Sequence, residues 1–322
     1  MLGRGIIGLT CALRLAEAGF DVCLAGPKNL FGTASYAALG VTSLKGLLWP
    51  RNPFFAAKWR GQQDLWSFLR EIEEKSGKAI PKNRPGVVEP CVTPQSYYDV
   101  KKRIYNRMFT GAFRIRPPDG VSRGYHSDHG PGRPPLVRNA FYYPQDFWFD
   151  PKGLLAALEI RLDQLGVSKL SSEAKQVTVG SEGRLTVEGS DWTYQPSTLI
   201  LATGANLTAH TNSFFGWQAP VTRLSGGHWE CPFEGPASDF EATVIAGKSR
   251  AAIHKGRILL GSTQTRLPPT SETGVWHEIM ESESTLYPQF IDRLSTVFPQ
   301  SLLKAQEPKF LWGVRLQGRD KK

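Results

Sequence analysis

The chain has 322 residues, a formal net charge of +10 and a hydrophobic fraction of 40%, a composition that suits one large domain or two and excludes a disordered chain. It contains no apolar run of the roughly 18 residues that a membrane-spanning helix needs, and its first residues lack the pattern of a signal peptide. The four cysteines show no C-x-x-C spacing, so we expect free thiols and a reducing, cytoplasmic environment.

The first predicted element is a glycine-rich loop that runs into a helix. Its G-x-G-x-x-G pattern spans residues 3–8 and consists of Gly3, Arg4, Gly5, Ile6, Ile7 and Gly8. An amphipathic run continues to Gly19, which is placed as a helix stop, and the apolar residues 20–25 predict a strand. This order is typical of a dinucleotide-binding unit, in which glycines let a pyrophosphate approach the helix N-terminus.

Small residues, a helix and a basic segment come next. Residues 28–40 are rich in Gly, Ala and Ser, which permits close approach of a ligand to the backbone, and residues 59–75 have helical periodicity. Basic residues are concentrated between Lys101 and Arg138. This run is interpreted either as a solvated basic face or as a surface for RNA or another polyanion.

The second half alternates helices and short strands. Asp150 and Pro151 are suited to the N-cap and first position of a helix that ends at Gly166. A second helix is predicted over 276–298. Predicted strands cover residues 174–179, 184–188, 197–205, 244–246, 251–254, 257–261 and 310–315.

Six of these stretches, in order, resemble the FAD-dependent D-amino-acid oxidase family, which includes D-amino-acid, glycine and sarcosine oxidases. The similar segments are the glycine loop at 3–8, the A-S-x-x-A-x-G loop at 34–40, F-D-P at 149–151, A-T-G-A at 202–205, the strand at 256–262, and W-G-V-R at 312–315 followed by Asp320. The resemblance extends over nearly the whole chain.

The resemblance implies an α/β fold, α+β overall, in which a Rossmann-like FAD-binding domain carries an inserted antiparallel-sheet substrate domain. The implied FAD-binding domain comprises residues 1–44, 141–207 and 291–322, and the substrate domain comprises 45–140 and 208–290. The implied FAD contacts are Gly3, Gly5, Ile6, Ile7, Gly8, Ala34, Ser35, Ala37, Ala38, Ala202, Thr203, Gly204 and Gly313. Since no cysteine follows Cys231, we expect FAD to bind non-covalently.

The resemblance also implies oxidation of the C–N bond of an amino acid or secondary amine, with hydride transfer to the flavin and release of hydrogen peroxide. Arg315 matches the arginine that anchors the substrate carboxylate, and a guanidinium suits this role because it offers two parallel charge-assisted hydrogen bonds. The alternative for Arg315 is a structural ion pair.

Two departures from the family pattern affect these expectations. The acidic residue that binds the FAD ribose is replaced by Gly26, so we expect either that FAD binds more weakly or that Lys28 or Asn29 contacts the ribose instead. The family's first strand and its segment after the last strand are not recognised, so both ends look trimmed and we expect weakened FAD binding or stability.

Three alternatives remain open from the sequence. A tRNA-modifying flavoprotein of the same fold would explain the basic run, and a flavin-binding protein without turnover would explain Gly26.

His126 and His129 flank Asp128 in a glycine- and proline-rich segment, where a solvated loop is favoured over a metal site. No metal is therefore expected.

Overall fold

The computed structural model describes residues 1–43, 55–83, 86–91, 95, 98–99, 113–115, 139–143, 145–232, 243–246, 249–254, 256–267, 273–295 and 308–318. The described helices are α1 (Ile6–Glu17), α2 (Phe55–Ser76), α3 (Pro151–Gln164), α4 (Leu207–Phe215), α5 (Thr273–Ser284) and α6 (Tyr287–Ser295). The described strands are β1 (Cys23–Ala25), β2 (Gly32–Thr33), β3 (Lys82–Asn83), β4 (Val87–Cys91), β5 (Phe113–Ile115), β6 (Asn139–Tyr143), β7 (Trp148–Phe149), β8 (Ser168–Leu170), β9 (Gln176–Val179), β10 (Leu185–Glu188), β11 (Thr193–Tyr194), β12 (Val221–Pro232), β13 (Thr243–Ala246), β14 (Ser249–His254), β15 (Arg257–Gly261), β16 (Thr265–Arg266) and β17 (Lys309–Gly318).

One core lies among the helices α1, α2 and α3. Leu9 and Leu13 of α1 are fully buried, because residues four apart in a helix lie on the same face. They pack with Leu69 of α2 and Leu158 of α3 in one apolar cluster. The predicted start of α3 is confirmed, since the Asp150 side chain caps the helix by accepting a hydrogen bond from Lys152 N at 3.0 Å.

Leu2 occupies a central position in the parallel part of the fold. It bridges Ala25 of β1 on one side and Leu201 on the other, and its amide donates to the Ile200 carbonyl at 2.9 Å. Residues 197–205 were expected to form a strand, and that prediction is wrong beyond the bridge at Leu201. The physical reason is that Leu2 alone offers a ladder partner there, and the chain turns into a 3₁₀ helix at 204–206.

The large sheet has ten described strands in the order β2, β17, β12, β15, β14, β13, β4, β6, β5, with β16 paired to β12. Most pairs are antiparallel, and β12 and β17 pair along ten residues. The β2–β17 and β13–β4 pairs are parallel. This mixed arrangement confirms the predicted fold class. The strand β17 was assigned to the FAD-binding domain, but its ladder with β12 joins it to the large sheet, and the domain division stays a prediction.

The helix expected over 276–298 consists of two helices, α5 and α6, separated at 285–286. Pro288 explains the break, because proline fits the first turn of a helix but lacks the amide that a continuous helix would need. Among the described residues, none of the helices has the length and apolarity required to span a membrane.

A cavity of about 470 Å³ lies beside Leu2. Its wall includes Val22, Cys23, Leu170, Trp192 and Ile200. None of the predicted cofactor or substrate residues lines it, so this cavity is separate from the candidate site described next.

Candidate functional site

The glycine loop at the start of the chain packs directly against the A-T-G segment. Gly3 has φ +110°, and a Cβ atom there would overlap the carbonyl oxygen of Ala202. Gly8 closes the same turn, because a Cβ atom on it would overlap the carbonyl oxygen of Gly3. Only glycine permits both contacts, so two of the predicted cofactor segments meet at this point.

The A-S-x-x-A-x-G loop at 34–40, which is the predicted flavin loop, lies over the N-terminus of α1. Ser35 Oγ accepts a hydrogen bond from the Ile6 amide at 3.0 Å, and a Cβ atom on Gly5 would lie 3.1 Å from the same oxygen. The N-cap Gly5 supplies no side-chain cap, and the first turn carries no acidic residue. Ile7 is exposed in that first turn. The positive end of the helix dipole is therefore available to an anion such as a pyrophosphate.

The last strand brings the fourth predicted segment to the same loop. Gly313 of β17 pairs with Gly32 of β2, and a Cβ atom on Gly313 would overlap the backbone of Thr33 and lie 2.8 Å from the Ala34 amide nitrogen. Alternation along a strand places residue 315 on the same face as residue 313, about 7 Å further on. Arg315 therefore lies next to the predicted flavin loop, on the same face of the sheet as Gly313.

The A-T-G segment offers polar and open surface to a ligand. Thr203 Oγ1 is buried and has no hydrogen-bond partner among the described residues, which is unusual because buried hydroxyls are nearly always paired. Gly204 is exposed, and nothing lies within 4 Å of a Cβ atom built on it. An unpaired hydroxyl beside open space, together with a helix N-terminus that carries no acidic residue, fits the phosphate-bearing part of FAD.

A hydrogen-bonded cluster fixes the flavin loop to the large sheet. His228 of β12 contacts the Ala37 carbonyl oxygen through Nδ1 at 3.1 Å, and its Nε2 lies 3.6 Å from Glu230 Oε1. Lys152 Nζ lies 2.7 Å from the same oxygen. Burial alone would raise the pKa of Glu230, but hydrogen bonds from His228 and Lys152 lower it to about 2. The neighbouring Ala38, another predicted contact, is exposed.

Arg4 is a charged residue within the glycine pattern, and sequence analysis missed its role. It is only 5% exposed, and its guanidinium forms a two-pronged pair with Glu159 of α3, with Nη2 2.8 Å from each carboxylate oxygen. Lys169 of β8 also reaches Glu159, at 2.8 Å. This pair fixes the glycine loop to the helix below it. The signal was an arginine inside a run of small and apolar residues.

At position 26, where the family pattern has the acid that binds the FAD ribose, the backbone adopts a conformation that favours glycine. Gly26 has φ +151°, a conformation that residues other than glycine rarely adopt. A Cβ atom there would lie 3.4 Å from Arg4 Cγ. Of the expected substitutes, Lys28 is exposed, and Asn29 uses its side-chain oxygen to accept from the Phe31 amide at 3.0 Å. Lys28 therefore keeps its charge available for a ribose or phosphate oxygen.

A second arginine, Arg250, shares the face of the large sheet that carries Arg315. In the strand pairing, Arg315 of β17 lies opposite Leu224 of β12. His228 of β12 lies opposite Gly261 of β15, and Gly261 in turn lies opposite Arg250 of β14. Residues 224 and 228 lie on one face of β12, so the two arginines project to the side where His228 meets the flavin loop. Burial and the charge of Arg315 lower the pKa of Arg250. Sequence analysis did not identify Arg250.

Several sequence predictions fall outside the described residues or outside the site. The basic run is described only at 113–115, and His126 and His129 lie outside the described residues. Within the part of the chain that the structure describes, no group of three metal-ligating side chains comes together. Tyr143 of β6 is buried and donates a hydrogen bond to Glu89 Oε2 at 2.7 Å.

Comparison with solved structures shows the same fold. Glycine oxidase from Geobacillus kaustophilus has 18% identity and a TM-score of 0.79, covering 99% of this chain and 82% of that chain. Iminodiacetate oxidase from Chelativorans sp. BNC1 has 18% identity and a TM-score of 0.77, with coverage of 99% and 83%. L-amino acid deaminase from Proteus vulgaris has 14% identity and a TM-score of 0.75, with coverage of 100% and 84%.

The sequence itself matches a defined family. No curated protein matches the chain. The family of FAD dependent oxidoreductases designated DAO matches residues 2–321. This match confirms the resemblance and identifies FAD as the cofactor and oxidoreduction as the reaction class. The chain therefore belongs to the DAO family of FAD-dependent oxidoreductases.

Proposed function

We propose that this enzyme oxidises the C–N bond of an amino acid or secondary amine and that Arg315 holds the substrate carboxylate. The observation that carries the proposal is the placement of Arg315 two residues beyond Gly313, whose backbone packs on the flavin loop at 33–34. An anchor at this position fixes the carbon next to the carboxylate close to the cofactor. The names of the three similar structures, an oxidase of glycine, an oxidase of iminodiacetate and an amino acid deaminase, support this substrate class.

The proposed binding of FAD rests on the segments already described. The first turn of α1 and Thr203 would hold the phosphates, while Ser35 and Gly313 position the loop over the flavin. These residues would hold FAD without a covalent link, and the cofactor would supply the acceptor for the substrate hydride, with oxygen as the proposed final electron acceptor and hydrogen peroxide as its product.

The protein's own residues contribute positioning and charge. Arg315 is exposed in its strand and has no ion-pair partner among the described residues, so its fork remains free to form two hydrogen bonds with a carboxylate. His228 and Glu230 keep the flavin loop in place from the same strand face. The four free cysteines support the cytoplasm as the proposed location.

The test compares wild type with Arg315→Lys and Arg315→Gln in the FAD-loaded enzyme. Candidate amines, including glycine, sarcosine, D-amino acids and iminodiacetate, are mixed anaerobically with the enzyme, and loss of the 450 nm band, about the absorption maximum of oxidised flavin, is followed. We expect the Gln variant to lose about 100-fold in the ratio of the reduction rate to the dissociation constant, because a charge-assisted pair is removed.

The Lys variant should recover part of this loss, because it keeps the charge but not the fork. Arg257→Gln is the matched control, since Arg257 is an exposed arginine on β15 of the same sheet. Reduction by none of the amines in wild type, or equal rates in wild type and Arg315→Gln, would contradict the proposed function. Peroxide release in air tests the proposed role of oxygen.

A further inference from the structure

One charged group on the cofactor-facing side of the sheet has no role in the proposed function. Arg250 is partly buried on β14, and its guanidinium donates a hydrogen bond from Nη1 to Ser262 Oγ at 3.3 Å. No carboxylate forms an ion pair with it among the described residues. Since guanidinium groups removed from water are usually paired with an anion, Arg250 is left with unused binding capacity.

The carboxylates on the same face are already engaged. Glu230 lies between Lys152 and His228, and Glu89 accepts the hydroxyl hydrogen of Tyr143 at 2.7 Å. The part of the face that carries Arg250 and Arg315 therefore has an excess of positive charge within the described residues. Burial and repulsion from Arg315 lower the pKa of Arg250.

A substrate with one carboxylate would satisfy only one of these charges. If Arg315 took that carboxylate, Arg250 would remain desolvated without a counter-ion. A substrate with two carboxylates would neutralise both, and binding would relieve the repulsion between the two arginines. The register separates the two residues along and across the sheet, so two carboxylates at opposite ends of one amine match the arrangement better than a single carboxylate bound by both forks.

We propose that Arg250 binds a second carboxylate, and that the enzyme acts preferentially on amino acids or secondary amines that carry two carboxylates. This inference rests on the proposed function, because it assumes that Arg315 binds the first carboxylate. It assigns Arg250 as the residue that sets substrate preference.

Arg266 is the neighbouring candidate for the same role. It lies opposite Leu224 on β16, and therefore on the same sheet face as Arg315, but it is exposed. The burial argument that singles out Arg250 does not apply to Arg266, because an exposed guanidinium carries no desolvation cost for a second carboxylate to relieve. The same measurements on Arg266→Gln separate the two possibilities.

The first experiment measures binding without chemistry. FAD-loaded wild type, Arg250→Gln and Arg257→Gln are titrated with succinate and glutarate, and with acetate and butyrate as single-carboxylate controls, using the flavin absorbance spectrum and the unfolding temperature as readouts. We expect the dicarboxylates to bind wild type more tightly, and Arg250→Gln to lose about 10- to 100-fold of that affinity, as expected when a hydrogen-bonded charge pair is lost. Acetate binding should change less than threefold, about the level of a weak exposed contact.

The second experiment compares substrates in the same variants. Anaerobic flavin reduction is measured with iminodiacetate, aspartate and glutamate of both configurations, and with glycine, sarcosine and D-alanine. Arg250→Gln should lose its rate advantage for dicarboxylates, whereas Arg315→Gln should lose both groups of substrates. Arg250→Lys should keep an intermediate preference, because it retains the charge but not the planar fork.

The outcomes separate this inference from the function on which it rests. Reduction of wild type by single-carboxylate amines with no preference for dicarboxylates would overturn the role of Arg250 and leave the proposed function intact. Reduction by neither group would remove the proposed function itself. An equal loss for both groups in Arg250→Gln, loss of bound flavin in that variant, or loss of the preference in Arg266→Gln would also overturn the assignment.

Discussion

Arg4 and Arg250 are both removed from water near the candidate cofactor site, but their surroundings differ. Arg4 lies beneath the glycine loop, where Glu159 takes its guanidinium in a two-pronged pair and Lys169 adds to the network. Arg250 is partly buried on the large sheet, where the charge of another arginine, Arg315, lowers its pKa. The first arginine has its counter-ion within the protein, and the second has none among the described residues.

The difference separates a structural charge from a charge available to a ligand. A buried arginine with a good partner contributes to the loop geometry, and removal of its partner is costly because a bare charge remains. A desolvated arginine facing a like charge reduces stability until an anion binds, a pattern found at functional sites. The comparison predicts opposite stability effects on the two sides of the site.

The largest expected effect is on the Arg4 side. Glu159→Gln leaves Arg4 without a counter-ion, and we expect the free energy of unfolding to fall by about 2 to 3 kcal/mol, less than the loss for a fully buried pair because Glu159 is partly exposed. Urea unfolding of the FAD-loaded enzyme measures the change. The control is Glu182→Gln, whose exposed pair with Arg184 should contribute less than about 0.5 kcal/mol.

The double variant Arg4→Met/Glu159→Gln tests the reason for that loss. It removes the unpaired charge, so we expect it to be more stable than Glu159→Gln alone. If the double variant is even less stable than Glu159→Gln, the packing of the Arg4 side chain, and not its charge, accounts for the loss. The assignment of Arg4 as a charge stabilised by its counter-ion would then be wrong.

A smaller effect is expected where the sheet carries a paired cluster. The pKa of Glu230 is lowered from 4.5 to about 2, so its carboxylate stabilises the folded state above pH 4.5, and this contribution is lost as the pH falls towards about 2. Glu230→Gln should therefore be about 1 to 2 kcal/mol less stable at pH 7, a value reduced for solvent screening of a half-buried group.

The measurement is urea unfolding of wild type and Glu230→Gln across a pH series. The difference between them should be constant from neutral pH to about 5 and should shrink below 4.5, the ordinary pKa of the group. A difference that stays the same down to pH 3, about 1.5 units below that value, would show that the ion pairs do not stabilise the flavin loop.

Sequence reasoning identified the features that depend on local geometry. Gly3 was predicted from its spacing, and the structure shows the backbone contact with Ala202 that requires glycine. The Asp150–Pro151 helix start was likewise readable, because a cap acts on the residues immediately after it. The four predicted cofactor segments came together, while their individual roles stay predictions.

Features that depend on long-range register were not readable. The position of Arg250 relative to Arg315 follows from pairing across β12, β15 and β14, which no local pattern reveals. The apolar residues 197–201 have strand composition, but ladder formation also needs a partner, and Leu2 supplies only one bridge. Arg4 differs from both, because the charge inside the glycine pattern was visible and was passed over.

The smallest expected effect is on the Arg250 side, and it has the opposite sign. The lowered pKa of Arg250 means that folding disfavours its charged form, and at pH 7 the group remains charged, so the folded state carries this cost. Replacement by neutral glutamine should raise the free energy of unfolding of the FAD-loaded, substrate-free enzyme by about 0.5 to 1 kcal/mol, less any packing lost with the side chain. Arg257→Gln, on the exposed end of β15, should leave it unchanged.

Glutarate sharpens this prediction, because a ligand that binds only the folded state stabilises it in proportion to its affinity. At saturating glutarate, wild type should become the more stable protein, so that the order of wild type and Arg250→Gln reverses on addition of the dicarboxylate. Acetate at the same ionic strength should not reverse the order, since it screens charges to the same extent as glutarate but carries a single carboxylate. If Arg250→Gln is less stable than wild type without any ligand, Arg250 already has a stabilising partner in the folded chain and the contrast with Arg4 disappears.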